Sequence, residues 1–266
     1  MEYGSEEHKE LFCRFFIDTH KPFKPEELPW PELSEETIQK LASFPIWDHA
    51  VFTESQVFNK LQAYSEEITD PLLKEAMALQ GYEEGRHADL LRHFLKRYNI
   101  PFKEKPDSPL PENPEMGFLR TGAGECIDSF FAFGFLEISK STKDYPLELI
   151  EVMEPIVQEE ARHILFIANW TLYQRYQRPA LLQPLHALRT LWSFECAGWA
   201  RLMDMKNLGG KSFTIQARKQ EKSSMSPKDF IQLCLKENKR RLSEYDPRLA
   251  RPKLIPRLMS GISFLL

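Results

Sequence analysis

The chain has 266 residues, 42% of them hydrophobic and 28% charged, enough for one large domain or two small ones around a sizeable core. Its 19 Phe, 8 Tyr and 5 Trp exclude intrinsic disorder, because that many aromatic rings would otherwise stay in water. A formal charge of -4 implies no nucleic-acid partner, and no apolar run approaches the roughly 18–20 residues of a transmembrane segment.

The N-terminus, MEYGSEEHKE, is polar and acidic, with no secretory signal or transit peptide visible. Cys13, Cys126, Cys196 and Cys234 are widely spaced, without a C-x-x-C. They read as reduced thiols, and a cytoplasmic location is expected.

The periodic segments follow a spacing of three and four, which predicts helices. Residues 1–45 hold two short ones. Ser34 is a plausible N-cap for the second, with Glu35 and Glu36 in its first turn. A connector rich in proline (Pro22, Pro25, Pro29, Pro31) separates them. A long helix is predicted from Trp47 to Glu67. A second starts at Asp70-Pro71, with Asp70 as N-cap and Pro71 as first helical residue, and runs to about Tyr98. Five prolines between 101 and 114 predict an extended crossover.

A third helix covers about 116–141, and the chain turns at Ser139–Pro146. A fourth runs from Leu147 to Tyr176, with Pro155 kinking it or marking its start. Residues 179–208 and 226–243 suggest a fifth and a sixth helix, with a polar, basic surface loop at Lys211–Ser226 between them. The expected fold is all-α: one domain over 1–266, with N-terminal helices at 1–45, an antiparallel four-helix bundle at 46–176, and C-terminal helices and a tail at 177–266.

One pentapeptide occurs twice: Glu83-Glu84-Gly85-Arg86-His87 on the second long helix and Glu159-Glu160-Ala161-Arg162-His163 on the fourth, 76 residues apart. At average composition two E-E-x-R-H copies arise by chance about once in a million such chains. Residues i and i+3 share a helical face. Glu84 with His87, and Glu160 with His163, can therefore each reach one metal, and carboxylate plus imidazole suits Fe or Mn, less exclusively Zn. Met77, Gln80, Ala88, Leu91 and Leu95 share a face with Glu84; Met153, Ile156, Val157, Ile164 and Ile167 share one with Glu160. Both pairs thus interrupt apolar stripes, and buried carboxylates there need a cationic partner.

A two-metal site in a bundle requires one further carboxylate from each remaining helix. Glu54 lies on the stripe of Trp47, Ala50, Val51, Val57, Phe58 and Leu61, and its midpoint with Glu84/His87 falls on the Asp70-Pro71 turn, so the groups share one height. The third helix offers Glu125, Asp128 and Glu137. For Glu125 and Asp128 the midpoint with Glu160/His163 falls inside the turn, whereas for Glu137 it falls inside the fourth helix. Glu125 reaches further than Asp128 and sits beside Gly122 and Gly124, where backbone or ligand can approach closely. Glu125 is the expected ligand and Asp128 either an acceptor for a histidine N–H or a simple polar partner to Arg or Ser, although which of the two binds metal stays open.

At Glu54, Glu84, His87, Glu125, Glu160 and His163 the sequence resembles the ferritin-like di-iron carboxylate superfamily over about residues 47–176. The wording EEGRHADLLRHFL is locally most similar to soluble acyl-carrier-protein desaturases; arylamine N-oxygenases and tRNA hydroxylases are looser relatives by pattern. The chain is shorter than a typical desaturase, and its Glu54-to-Glu84 spacing is tighter. The resemblance implies two Fe ions, with Fe/Mn or di-Mn as alternatives. It also implies that Glu83, Arg86, Glu159 and Arg162 hold the ligands in place. The implied function is a di-iron oxidoreductase that takes electrons from a donor such as a ferredoxin-type reductant. It would activate O₂ to hydroxylate, desaturate or N-oxygenate an apolar or carrier-bound substrate. The alternative is an iron-handling or non-enzymatic metal-binding protein.

A substrate cavity is expected among Phe118, Phe130, Phe133, Leu136, Trp192, Phe194 and Trp199, although for any single one of the aromatics core packing is the commoner role. The apolar tail Leu254–Leu266 is expected to dock within the protein; a second subunit, giving a homodimer, and a membrane surface are the other outcomes. Residues 211–266 carry a net +8 and the first 210 a net -12. The basic C-terminal region could receive an acidic carrier protein.

Overall fold

The computed structural model describes residues 1–142, 145–207 and 225–266, without the side chains of 204–207. Among these residues the chain is all-α, with nine helices and no strand. They are α1 (Glu6–Asp18), α2 (Glu35–Ala42), α3 (Trp47–Glu67), α4 (Pro71–Arg97), α5 (Pro114–Thr142), α6 (Leu147–Tyr176), α7 (Gln183–Asn207), α8 (Pro227–Ser243) and α9 (Leu254–Leu265). The Ser34 side chain accepts from the Thr37 amide, and the Asp70 carboxylate from the amides of Leu72 and Leu73 with Pro71 in the first turn, so both expected N-caps operate. Pro155 lies inside α6, on an exposed face, and does not mark its start. The expected loop at Lys211–Ser226 lies, up to residue 224, outside the described residues.

Helix α3 packs along α4, α5 along α6, and α3 on α5; α1 lies against α4 and α6, while α7 and α8 flank α5. Of three apolar clusters in the core, one joins α5 and α6 to α8 and α9, and the other two are stacked along the bundle. The first of these two holds Val57 and Leu61 of α3, Met77 of α4, Phe118 of α5 and Ile167 of α6. The second holds Val51, Leu90, Leu136 and Val152 of the same four helices. Helices α4 and α5 therefore run from the first cluster to the second, and α3 and α6 run back. The α4–α5 connection must consequently travel the length of the bundle, and it does so along α3: the Lys103 amide donates to Asp48 at 2.8 Å, and Gln56 Nε2 donates to Asp107 at 2.9 Å. Glu54, Glu84, His87, Glu125, Glu160 and His163 all fall in sequence between these two stacked clusters, so a charged layer separates them.

Glycine brings α5 close to its neighbours. A Cβ at Gly122 would lie 2.5 Å from Ile167 Cγ2, and one at Gly134 would lie 2.4 Å from Cys234 Sγ. At Gly124 the space is taken by the Arg201 guanidinium, 2.5 Å from where a Cβ would stand. These glycines serve helix packing.

The termini are tied to α6 by one buried amide. Asn169 Oδ1 meets His8 Nε2 at 3.0 Å and accepts from the Ala250 amide at 2.9 Å, while its Nδ2 donates to Leu165 O and Ala250 O. The apolar tail forms helix α9, which packs on α8 with Ile255 and Ser263 buried; Leu258, Phe264 and Leu265 remain exposed. No described helix is long and apolar enough to cross a membrane.

Glu115, at the start of α5, faces Arg178 and, at 3.4 Å, His186 Nε2. His186, with burial opposing and Arg178 reinforcing, lowers the Glu115 carboxyl from 4.5 to about 2. A depressed carboxylate contributes stability that is present above the unfolded value and is lost as pH falls through the folded one. Between about pH 4.5 and 2 the protein is therefore expected to lose on the order of 2 kcal/mol from this group, after allowance for solvent screening. Urea titrations at several pH values should find that part of the acid limb missing in Glu115→Gln; an identical limb would refute the assignment.

Candidate metal centre

Both E-E-x-R-H segments lie in mid-helix, where successive residues point about 100° apart. In each, the second Glu and the His turn into the charged layer, while the first Glu and the Arg turn toward the facing helix. Glu84, His87, Glu160 and His163 each offer a ligand atom within 4.8 Å of the others, a group that could hold a metal ion. His163 Nδ1 is 3.0 Å from Glu84 Oε1 and 3.6 Å from Glu160 Oε2. His87 Nδ1 is 3.0 Å from Glu160 Oε1 and 4.0 Å from Glu84 Oε2. None of these approaches is aligned as a hydrogen bond: both Nδ1 atoms, both Glu84 oxygens and Glu160 Oε2 are buried without a hydrogen-bond partner. Buried polar atoms are rarely left so, and lone pairs converging from four side chains suit a cation among them.

The remaining motif residues cross between the helices. Arg86 donates to both oxygens of Glu159, at 2.7 and 2.9 Å, and Arg162 to both oxygens of Glu83, at 3.0 Å each. Glu159 also accepts from His87 Nε2 at 3.0 Å, and Glu83 from His163 Nε2 at 2.8 Å. A carboxylate paired with arginine can only accept. Each imidazole therefore carries its proton on Nε2, which frees the Nδ1 lone pair of the neutral ring to face the layer. Burial would raise Glu83, but the His163 hydrogen bond and the His163 and Arg162 charges outweigh it and hold the carboxyl well below the usual range.

Glu54 and Glu125 join the same layer from α3 and α5. Glu54 Oε2 is buried without a partner, and Glu125 is 8% exposed. Burial first, then the Glu84 and Glu160 charges, push both carboxyls well above the ordinary value. Without a cation, protons occupy the layer. Burial opposes charge on His87, yet Glu159 and Glu160 push it up to about 9. Metal and protons therefore compete for these atoms.

Asp128 is the polar partner of an arginine and not the acceptor of a histidine proton. It is 48% exposed on its side chain and pairs with Arg201 of α7 at 2.5 Å. Held outward by that arginine, it faces away from the layer, and Glu83 and Glu159 accept the histidine protons instead. The aromatic wall is corrected too: Trp192 and Trp199 are 61% and 67% exposed, and Phe118, Phe130 and Phe133 are packed in core clusters.

Sequence reasoning missed the N-terminal contribution. His20 Nδ1 lies 2.5 Å from Glu83 Oε1, Thr19 Oγ1 accepts from Arg162 Nε at 2.8 Å, and the Phe16 and Lys21 carbonyls accept from Arg162 and Arg86. These residues carry no motif; only the docking of α1 across α4 and α6 brings them in. Comparison with family models, curated proteins and solved structures found no match.

Proposed function

We propose that this chain is a ferritin-like di-iron oxidoreductase that activates O₂ to oxidise an apolar or carrier-bound organic substrate. The observation that carries this reading is the set of unpartnered, converging Nδ1 and carboxylate oxygen atoms, each histidine fixed from behind by a carboxylate. The opposed directions of α3/α6 and α4/α5, with a crossover along α3, support the topology. Glu84, His87, Glu160 and His163 would hold the metals between them, with Glu54 and Glu125 completing the set. Four carboxylates balance two divalent cations, and the Arg86–Glu159 and Arg162–Glu83 pairs are neutral by themselves, so the loaded layer is electrically neutral and can stay buried. Bound there as a ferrous pair, iron supplies two electrons for the reduction of O₂, to be replenished by an external donor.

The chain's own groups do the rest. Glu159 and Glu83 keep the Nε2 protons and so aim both imidazoles inward. The two stacked apolar clusters exclude bulk water above and below the layer. Glu54 and Glu125 release their protons when cations enter, so loading should liberate acid. The basic C-terminal region suits an acidic carrier as the bearer of substrate.

The exposure of Trp192 and Trp199 favours a second reading, iron handling without an organic substrate, because those rings do not wall a pocket. Anaerobic loading with ferrous iron followed by O₂ separates the two. An oxidase should retain about two irons per chain through repeated cycles of oxidation and chemical reduction. Continued uptake of iron as ferric mineral would establish storage instead, and failure to retain iron would reject both.

A further inference from the structure

Helix α7 is amphipathic in the wrong sense for a helix lying on a bundle. Its inner face carries mostly small or polar residues, with His186, Ser193 and Ala197 buried and Phe194 the one large apolar contact with a core cluster among the described residues, whereas its outer face carries Leu188, Trp192, Trp199 and Leu202 at 58% to 67% exposure. Large apolar side chains normally face the core. The outer residues of α7 recur at alternating spacings of three and four, Leu185, Leu188, Trp192, Glu195, Trp199 and Leu202, and Leu181 just before the helix stands four residues ahead of the first. That is the seam of a helix made to pair with another helix. From Leu185 to Met203 the exposed Leu, Trp and Met side chains of α7 are each 39% to 67% exposed, an open apolar face of the kind that marks an interaction surface on a monomer.

We infer that α7 is the interface of a homodimer, in which two copies of this chain pair antiparallel along the seam about a twofold axis at Trp192. The sequence is self-complementary about that point. Leu185 stands as far before Trp192 as Trp199 stands after it, and the same holds for Leu182 and Leu202. Arg189 and Glu195 are likewise equidistant from Trp192, so antiparallel pairing brings each arginine level with the partner's Glu195. Neither has an ion-pair partner among the described residues.

The alternatives fit less well. The chain immediately after α7, residues 208–224, holds only three large apolar residues, Leu208, Phe213 and Ile215, beside five charges, too few to cover the face. A membrane surface would have to accept Glu195 in mid-seam, whereas an arginine from a second copy neutralises it.

Sedimentation velocity on the full chain tests this. Wild type is expected at twice the chain mass at micromolar concentration. Trp192→Glu is expected to weaken association about 100-fold, with helix content unchanged because the residue is exposed. Arg189→Glu should weaken the dimer about 10-fold, and Arg189→Glu with Glu195→Arg should restore it. A wild type that stays monomeric up to about 100 µM, a Trp192→Glu variant that dimerises like wild type, or a monomer that instead sediments with lipid vesicles would each overturn the assignment.

Discussion

Replacing Glu84 or Glu160 with alanine is expected to lower metal affinity by more than about 100-fold, since altering even an outer partner of a ligand costs 10–100-fold. Glu84 is fully buried and places one oxygen 3.0 Å from His163 Nδ1; Glu160 does the same for His87. Each carboxylate therefore serves both histidines' neighbourhoods, and loss of either opens the layer from both sides. Wild-type protein purified without chelator should contain metal, and both variants should contain almost none. The second readout is thermal. Metal at 1,000 times its dissociation constant stabilises the native state by about 4 kcal/mol, a gain expected for wild type and absent from both variants. A purely structural ion-pair cluster would show no metal-dependent shift in any of the three proteins. Unchanged metal content in both variants would remove the site.

The repeated motif was legible because helical geometry alone relates positions three apart, and the Asp70-Pro71 turn fixes the height at which α3 meets α4. Glu54 could be chosen on those two facts, before any tertiary contact was known. Asp128 could not be resolved that way. Its pairing depends on Arg201, which arrives from a helix whose docking the periodicity of α5 does not encode. His20 and Thr19 were invisible for a related reason: they flank a short helix end, and their neighbours in sequence say nothing of α4 or α6. The fifth helix was legible over residues 179–208, but a helix does not state what each of its faces meets. The usual assumption, that large apolar residues face the core, put Trp192 and Trp199 on the wrong side.

Arg162→Met is expected to be the most destabilising single change around the centre that leaves the inward-facing residues intact. Arg162 is 3% exposed and spends its donors on both Glu83 oxygens, Thr19 Oγ1 and the Phe16 carbonyl, with Phe16 stacked 4.6 Å away. Removing it strands a fully buried carboxylate and releases the end of α1 in one step, and breaking a buried pair from one side costs about 3–5 kcal/mol. The mirror change, Arg86→Met, should cost less, because Arg86 holds Glu159 and only the Lys21 carbonyl on the N-terminal segment. Arg162→Lys should recover little, since an ammonium cannot span both Glu83 oxygens and reach Thr19 and Phe16 as well. Adding Glu83→Leu to Arg162→Met removes the stranded charge, so the double variant should regain part of the stability while His163 loses the acceptor that fixes its ring. Urea unfolding of the metal-free proteins measures the first effect and metal titration the second. Stability and metal affinity should therefore move in opposite directions between the single and double variants, because the charge that Arg162 neutralises is the same charge that orients His163.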